Sequence, residues 1–198
     1  MSRLILASAS PARQAMLEAA GVVFIARSAG IAERHLTAEL LSQGKGPDAI
    51  ALHLAEQKAL AVLHQNPHDM VLGADQVLAL GSQLINKSVD LLSLRAELLK
   101  LSGRTHYLIS AAALARNGQI IWRHVARAGM TMRVLSEAFI DDYLTREGEA
   151  VLGSVGGYHF EGLGAQLFDR IEGDYFSILG LPLLPVLKEL RTQGWLKA

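Results

Sequence analysis

The chain has 198 residues, 51% hydrophobic and 19% charged, which excludes intrinsic disorder and is enough for one large domain or two packed lobes. Nineteen basic and nineteen acidic residues cancel. The balance is even: residues 1–99 carry 8 basic and 9 acidic, residues 100–198 carry 11 and 10, so there is no basic stripe for duplex binding and nucleic acid is not an expected partner. Cys is absent, which removes disulfides, thiolate metal sites and cysteine nucleophiles. No apolar run nears the ~20 residues of a membrane span, and Met1–Leu6 is too short for a signal-peptide core. A soluble, cytoplasmic protein without a membrane partner is the expectation.

In chain order, Leu4–Ala7 is an apolar run expected as a buried strand. Ser10 is a natural N-cap and Pro11 a natural first residue of a helix running to about Ala20, closed by Gly21. Val22–Ala26 is expected as a second strand, and residues 28–46, with three glycines and little periodicity, as a long loop. A helix is predicted from Pro47 to about Gln65, stopped by Asn66-Pro67. Met70–Leu80 reads as a strand interrupted by Gly73-Ala74-Asp75-Gln76, then a turn at Gly81-Ser82 and a helix from Asp90 to Leu101. Asn117-Gly118 between Thr105–Arg116 and Gln119–Val134 is a type I′ hairpin signal. Ser136 caps a helix with Phe139, Ile140, Tyr143 and Leu144 on its apolar face, ended by Gly148. Residues 153–164, with five glycines, read as loop or bent strand. Gln166–Ile171 follows as a strand, 172–180 as a loop, and Pro182–Gln193 as a last helix. Alternation of strands and helices around a central hairpin predicts α/β with a mixed sheet.

Three residues break the rule of their own element. Arg13 lies in a first helical turn, where the dipole disfavours a cation and unpaired N–H groups favour an anion. It is either a solvated arginine behind an ordinary cap or, with Ser8 and Ser10, part of a phosphate site. Lys58 falls inside the apolar stripe of Ile50, Leu54, Ala61 and Val62. It either snorkels or aims its ammonium at phosphate. Asp75 lies among Val71, Leu72, Val77 and Leu78, where a carboxylate is costly unless paired or metal-bound. The small Gly73 and Ala74 leave room for a ligand on this reading. Gly81–Ser88 reads G-x-x-x-x-N-K-S, one residue from a P-loop, but Asn86 replaces the second glycine. The seven His form no metal motif and are expected at the surface or at caps.

Taken together, these positions resemble the Maf family of nucleoside triphosphate pyrophosphatases. The family's opening strand and S-x-S-P-x-R match Leu4 to Arg13, and its acidic loop residue matches Glu33. Its helix lysine matches Lys58, its G-A-D matches Gly73-Ala74-Asp75 and its second lysine matches Lys87. Ser102–His106, Ile171–Tyr175 and Gly180-Leu181-Pro182 match further segments. The resemblance spans nearly the whole chain in motif order. It implies one Maf-like domain over 1–198: an elongated, twisted mixed sheet flanked by helices, in two lobes with a cleft, forming a homodimer.

The implied reaction is NTP plus water to NMP plus pyrophosphate, with Mg²⁺ as cofactor. Ser8, Ser10, Arg13, Lys58 and Lys87 would hold the phosphates, and Glu33 and Asp75 the metal. Asp75 would also serve as base, a role that an orienting acceptor for metal-activated water fills better than a free carboxylate. At the base-reading positions this chain has Ala12, Gln76 and Glu161, in place of the Arg, Thr and Gln of the dTTP/UTP branch. A branch acting on 7-methyl-GTP shares the Gln and Glu but has Trp at the Ala12 position. A guanine-type preference is therefore the expectation. The alternatives are a P-loop phosphotransferase built on Gly81–Ser88 and a non-catalytic nucleotide-binding regulator of cell division.

Overall fold

A computed structural model describes residues 2–197. The chain divides into two compact units. The first comprises the chain up to Gln76, Ile109–Ala126 and the chain from Asp174 onward; the second comprises Val77–Leu108 and Arg127–Gly173. The elements in order are β1 (Leu4–Ala7), α1 (Pro11–Ala19), β2 (Ile25–Ala26), α2 (Glu33–Ser42), α3 (Pro47–Gln65), β3 (Met70–Leu80) and β4 (Gln83–Ile85). Then come α4 (Leu91–Leu101), β5 (Thr105–Arg116), β6 (Gln119–Met132), α5 (Glu137–Glu147), β7 (Phe168–Glu172), α6 (Tyr175–Ile178) and α7 (Leu183–Thr192). The strands form one seven-stranded sheet in the order β2-β1-β3-β5-β6-β7, with β4 on β3. Pairing of β1 with β2 and β3 is parallel, whereas β3 with β4 and β6 with β7 are antiparallel, giving the mixed α/β sheet that the sequence predicts.

In the first unit, alternation along β1 sorts its side chains to two faces. Leu4 and Leu6 pack with Leu17 of α1 and with Val186 and Leu190 of α7, while Ile5 and Ala7 pack with Ala59, Val62 and Leu63 of α3. A strand covered on both faces reads as an unbroken apolar run, which is why β1 and most of β3 show no alternation. Ser10 caps α1 through Arg13 N, and Pro11 starts the helix, as expected. Asn117 and Gly118, at φ 51° and 78°, form the β5–β6 hairpin turn.

In the second unit, Asp90 and Ser136 cap α4 and α5 through Ser93 N and Phe139 N. Arg95 of α4 bridges to Glu137 and Asp141 of α5 at 2.8 and 2.6 Å.

Several expectations are corrected. Residues 28–46 are not one loop, because α2 spans Glu33–Ser42. It buries none of its residues, so it needs no apolar stripe and leaves no periodic signal. The second strand shrinks to Ile25–Ala26, and 172–180 contains the single turn α6, capped by Asp174. Gly81–Ser88 runs through β4, a ladder strand and not a wrapping loop, so it forms no P-loop. No helix among the described residues is long and apolar enough to cross a membrane.

Candidate active site

Asp75 sits near the middle of β3 and is 5% exposed. Lys58 of α3, 8% exposed, places its Nζ 2.6 Å from Asp75 Oδ1 and 2.9 Å from Glu33 Oε1. The ammonium is thus clamped between two carboxylates, one buried and one half-exposed.

The approach of α3 to β3 depends on Gly73. A Cβ at this position would lie 2.1 Å from the Ala55 carbonyl oxygen and 2.8 Å from the Ala59 N. Ala55 and Ala59 bracket Lys58 on α3, so the glycine that lets the helix touch the strand also delivers the lysine to the aspartate. The room that Gly73 was expected to leave for a ligand is taken by the helix backbone.

Arg13 of α1 is 8% exposed and is not a solvated arginine. Its Nε donates to the Gly180 carbonyl at 2.8 Å, and its Nη1 donates to the Ala74 carbonyl at 3.0 Å and to Ser8 Oγ at 3.1 Å. Ser8 Oγ also accepts from Ser10 N at 3.2 Å. The opening motif therefore fixes a guanidinium beside the residue preceding Asp75.

Burial dominates the electrostatics. It raises the Asp75 pKa above the ordinary carboxylate value, against the opposing pull of Lys58 and Arg13. It also lowers the Arg13 pKa, against the attraction of Asp75 and Glu33. Two carboxylates converging on one cation are hard oxygen donors of the kind Mg²⁺ takes. Among the described residues no group of three or more His, Cys, Asp or Glu could hold a metal, so an ion here would draw its other ligands from phosphate and water.

The remaining positions separate. Gln76 and Ala12 belong to the first unit, with Gln76 half-buried in β3 and Ala12 half-buried in the first turn of α1. Lys87 and Glu161 belong to the second unit and are both exposed. Lys87 lines a surface hollow of about 340 Å³ with Asn86, Ser88 and Lys100. Glu161 stands in a turn before the 3-10 segment Leu163–Leu167.

His106 corrects the expectation of surface histidines: it is wholly buried, with Nε2 2.7 Å from Tyr158 Oη. Burial drives its pKa down to about 4. Sequence reasoning passed over Ser110, a buried hydroxyl in the apolar run of β5, and the carbonyls of Ser177, Ile178 and Gly180. Ser110 was findable as a polar residue between Leu108 and Leu114; backbone acceptors leave no such signal.

A cation pair, Arg13 and Lys58, and a carboxylate pair, Glu33 and Asp75, thus gather around one strand. Among known proteins, the Maf-like protein family matches residues 3–193, and the chain belongs to that family. Among its relatives, the 7-methyl-GTP pyrophosphatase of Mesorhizobium japonicum is 53% identical over 192 residues, covering 97% of this chain and 96% of the relative. The 7-methyl-GTP pyrophosphatase of Rhizobium meliloti is 50% identical over 195 residues, 98% of each chain. A nucleoside triphosphate pyrophosphatase of Rhodopseudomonas palustris is 52% identical over 190 residues, covering 96% and 93%.

Proposed function

We propose that this chain is a nucleoside triphosphate pyrophosphatase that favours guanine-type bases, 7-methyl-GTP foremost. Water adds at the α-phosphorus, the anhydride bridge to the β-phosphorus breaks, and NMP and pyrophosphate leave. The observation that carries the reading is the buried cluster of Arg13, Lys58 and Asp75 with Glu33 at its edge. Such charges are costly to bury, and a triphosphate with a divalent cation repays that cost. The relatives' names support the same reading.

In this mechanism Ser8, Ser10, Arg13 and Lys58, with Lys87, bind and orient the phosphates, since phosphoryl transfer needs positioning and charge neutralisation more than covalent help. Glu33 and Asp75 would hold Mg²⁺. Bound there, the ion would neutralise developing charge on phosphate and acidify water. Asp75 would orient the attacking water and accept its proton. Glu33 shares the ammonium of Lys58 and can release it when phosphate arrives.

Glu161 supports the base preference. Its two oxygens can accept N1–H and N2–H of guanine together, and the positive charge of a 7-methylated ring adds attraction. A homodimer in the cytoplasm belongs to the same proposal, and light scattering tests the dimer. The function is tested by kcat/KM for 7-methyl-GTP, GTP, dTTP and UTP in wild type and Glu161→Gln. The wild type is expected to rank 7-methyl-GTP first and the variant to flatten the ranking. A wild type that prefers dTTP or UTP contradicts the base assignment. Nucleotide binding without turnover would favour the non-catalytic regulator.

A further inference from the structure

Gln76 directly follows Asp75, but its amide is already in use. Nε2 lies 3.0 Å from Ser110 Oγ, 3.0 Å from the Ser177 carbonyl and 3.0 Å from the Ile178 carbonyl. Carbonyl oxygens only accept, so the amino end must face them, and its two N–H donors are spread over three acceptors. The Ser110 hydroxyl donates to the same Ser177 carbonyl at 2.7 Å. Two residues beyond Ile178, the Gly180 carbonyl takes Arg13 Nε. Gly180 has φ +98°, and a Cβ there would stand 3.4 Å from Arg13 Nε and Nη2 and 3.7 Å from Gln76 Oε1. The backbone turn therefore passes within van der Waals reach of both side chains, in a conformation that its positive φ reserves for glycine.

We propose that Gln76 is a positioning residue: with Ser110 it anchors the Ser177–Gly180 segment, whose Gly180 carbonyl aims the Arg13 guanidinium at phosphate. This rests on the phosphate role of Arg13 given above. Its consequence is distinctive. Loss of Gln76 weakens the grip on phosphate for every base alike, whereas a base reader would change the ranking of bases. The variants also order differently. Gln76→Glu sets an acceptor against acceptors and is worse than Gln76→Met, which only deletes donors. A residue reading the base through Oε1 would tolerate Glu better than Met.

The test uses the full chain, with kcat and KM for 7-methyl-GTP, GTP and UTP and calorimetric binding of tripolyphosphate, which has no base. Gln76→Met, Gln76→Glu and Ser110→Ala are measured alone, and Gln76→Met also in an Arg13→Lys background. Gln76→Met is expected to lose roughly tenfold in tripolyphosphate affinity, the worth of one hydrogen bond to a charged group. Gln76→Glu should lose more and Ser110→Ala less, with KM rising equally for all three nucleotides. In Arg13→Lys, which lacks the Nε donor, Gln76→Met should add less than about twofold, because the two act through one contact.

Re-ranked bases with tripolyphosphate affinity intact would overturn the proposal. So would full additivity with Arg13→Lys, or a fall in Tm alone with the affinity of the folded protein unmoved. Should Gln76→Glu not fold, the other two variants decide. If the wild type binds tripolyphosphate but cleaves no nucleotide, the pyrophosphatase reading fails and the binding series still judges the anchor. If it binds neither, both fail.

Discussion

The two units bury polar groups in opposite ways. The first encloses the charged groups Arg13, Lys58, Asp69 and Asp75, all below 9% exposure. The second encloses His106, Tyr143 and Tyr158, joined through His106 Nε2 to Tyr158 Oη and from Tyr143 Oη to the Gly157 carbonyl. Burial holds His106 neutral and pushes both tyrosines above their ordinary pKa. Phe168 packs edge-on to the Tyr158 ring, with centroids 4.9 Å apart. Neutral groups of this kind can fix packing with less desolvation than charges incur, even with His106 Nδ1 unpartnered. For buried charges desolvation outweighs the attraction between partners unless something further is gained. On the proposed function, the first unit supplies the buried charges for phosphate and metal, and the second supplies the exposed Lys87 and Glu161.

The sharpest way to break this contrast is Asp75→Asn. The amide is nearly isosteric, so the fold should persist while steady-state turnover drops at least ~10²-fold. A well-folded variant with near-wild-type kcat would mean that the buried charge is structural after all. Next in size, Arg13→Ala and Lys58→Ala should each cost roughly 10- to 10²-fold in kcat/KM, by equal factors for every base. A panel of nucleotides checks this, and a reordered panel would move these cations from phosphate to base. Gly73→Ala should follow, with a roughly tenfold loss in rate and about 1–3 kcal/mol in stability by urea unfolding. Its Cβ would drive α3 from β3 and Lys58 from Asp75, so Gly73→Ala tests whether that approach matters.

The smallest effect on activity belongs to the second unit. His106 has a folded pKa of about 4, below the ordinary 6.5 of its unfolded state. The unfolded chain therefore binds the proton first. Stability from this residue is complete above pH 6.5, declines as pH falls toward 4, and changes by on the order of 3 kcal/mol across that window. His106→Gln should flatten the dependence seen in urea melts and leave kcat at neutral pH within about twofold of wild type.

Much of this was legible in the chain. Ser10-Pro11, Asn117-Gly118 and Ser136 each encode a local geometry by their own chemistry, and each appears where predicted. Asp75 and Lys58 were visible because a charge in an apolar stripe has no folding rationale. What stayed hidden depends on tertiary contact. The surface helix α2 buries nothing and so carries no stripe. Gly73 looked like vacant space because its partner, the Ala55 carbonyl, is backbone from another element. The engagement of the Gln76 amide stayed hidden because the Ser177 and Ile178 carbonyls that occupy its donors lie about a hundred residues away in the chain.

The most direct test of the central claim is product analysis of 7-methyl-GTP incubated with the purified chain, with and without Mg²⁺. 7-Methyl-GMP and pyrophosphate are expected in equal amounts, formed only with the metal. Orthophosphate with 7-methyl-GDP, or a rate indifferent to Mg²⁺, would contradict the assignment of the Arg13, Lys58, Glu33 and Asp75 cluster to a metal-bound triphosphate.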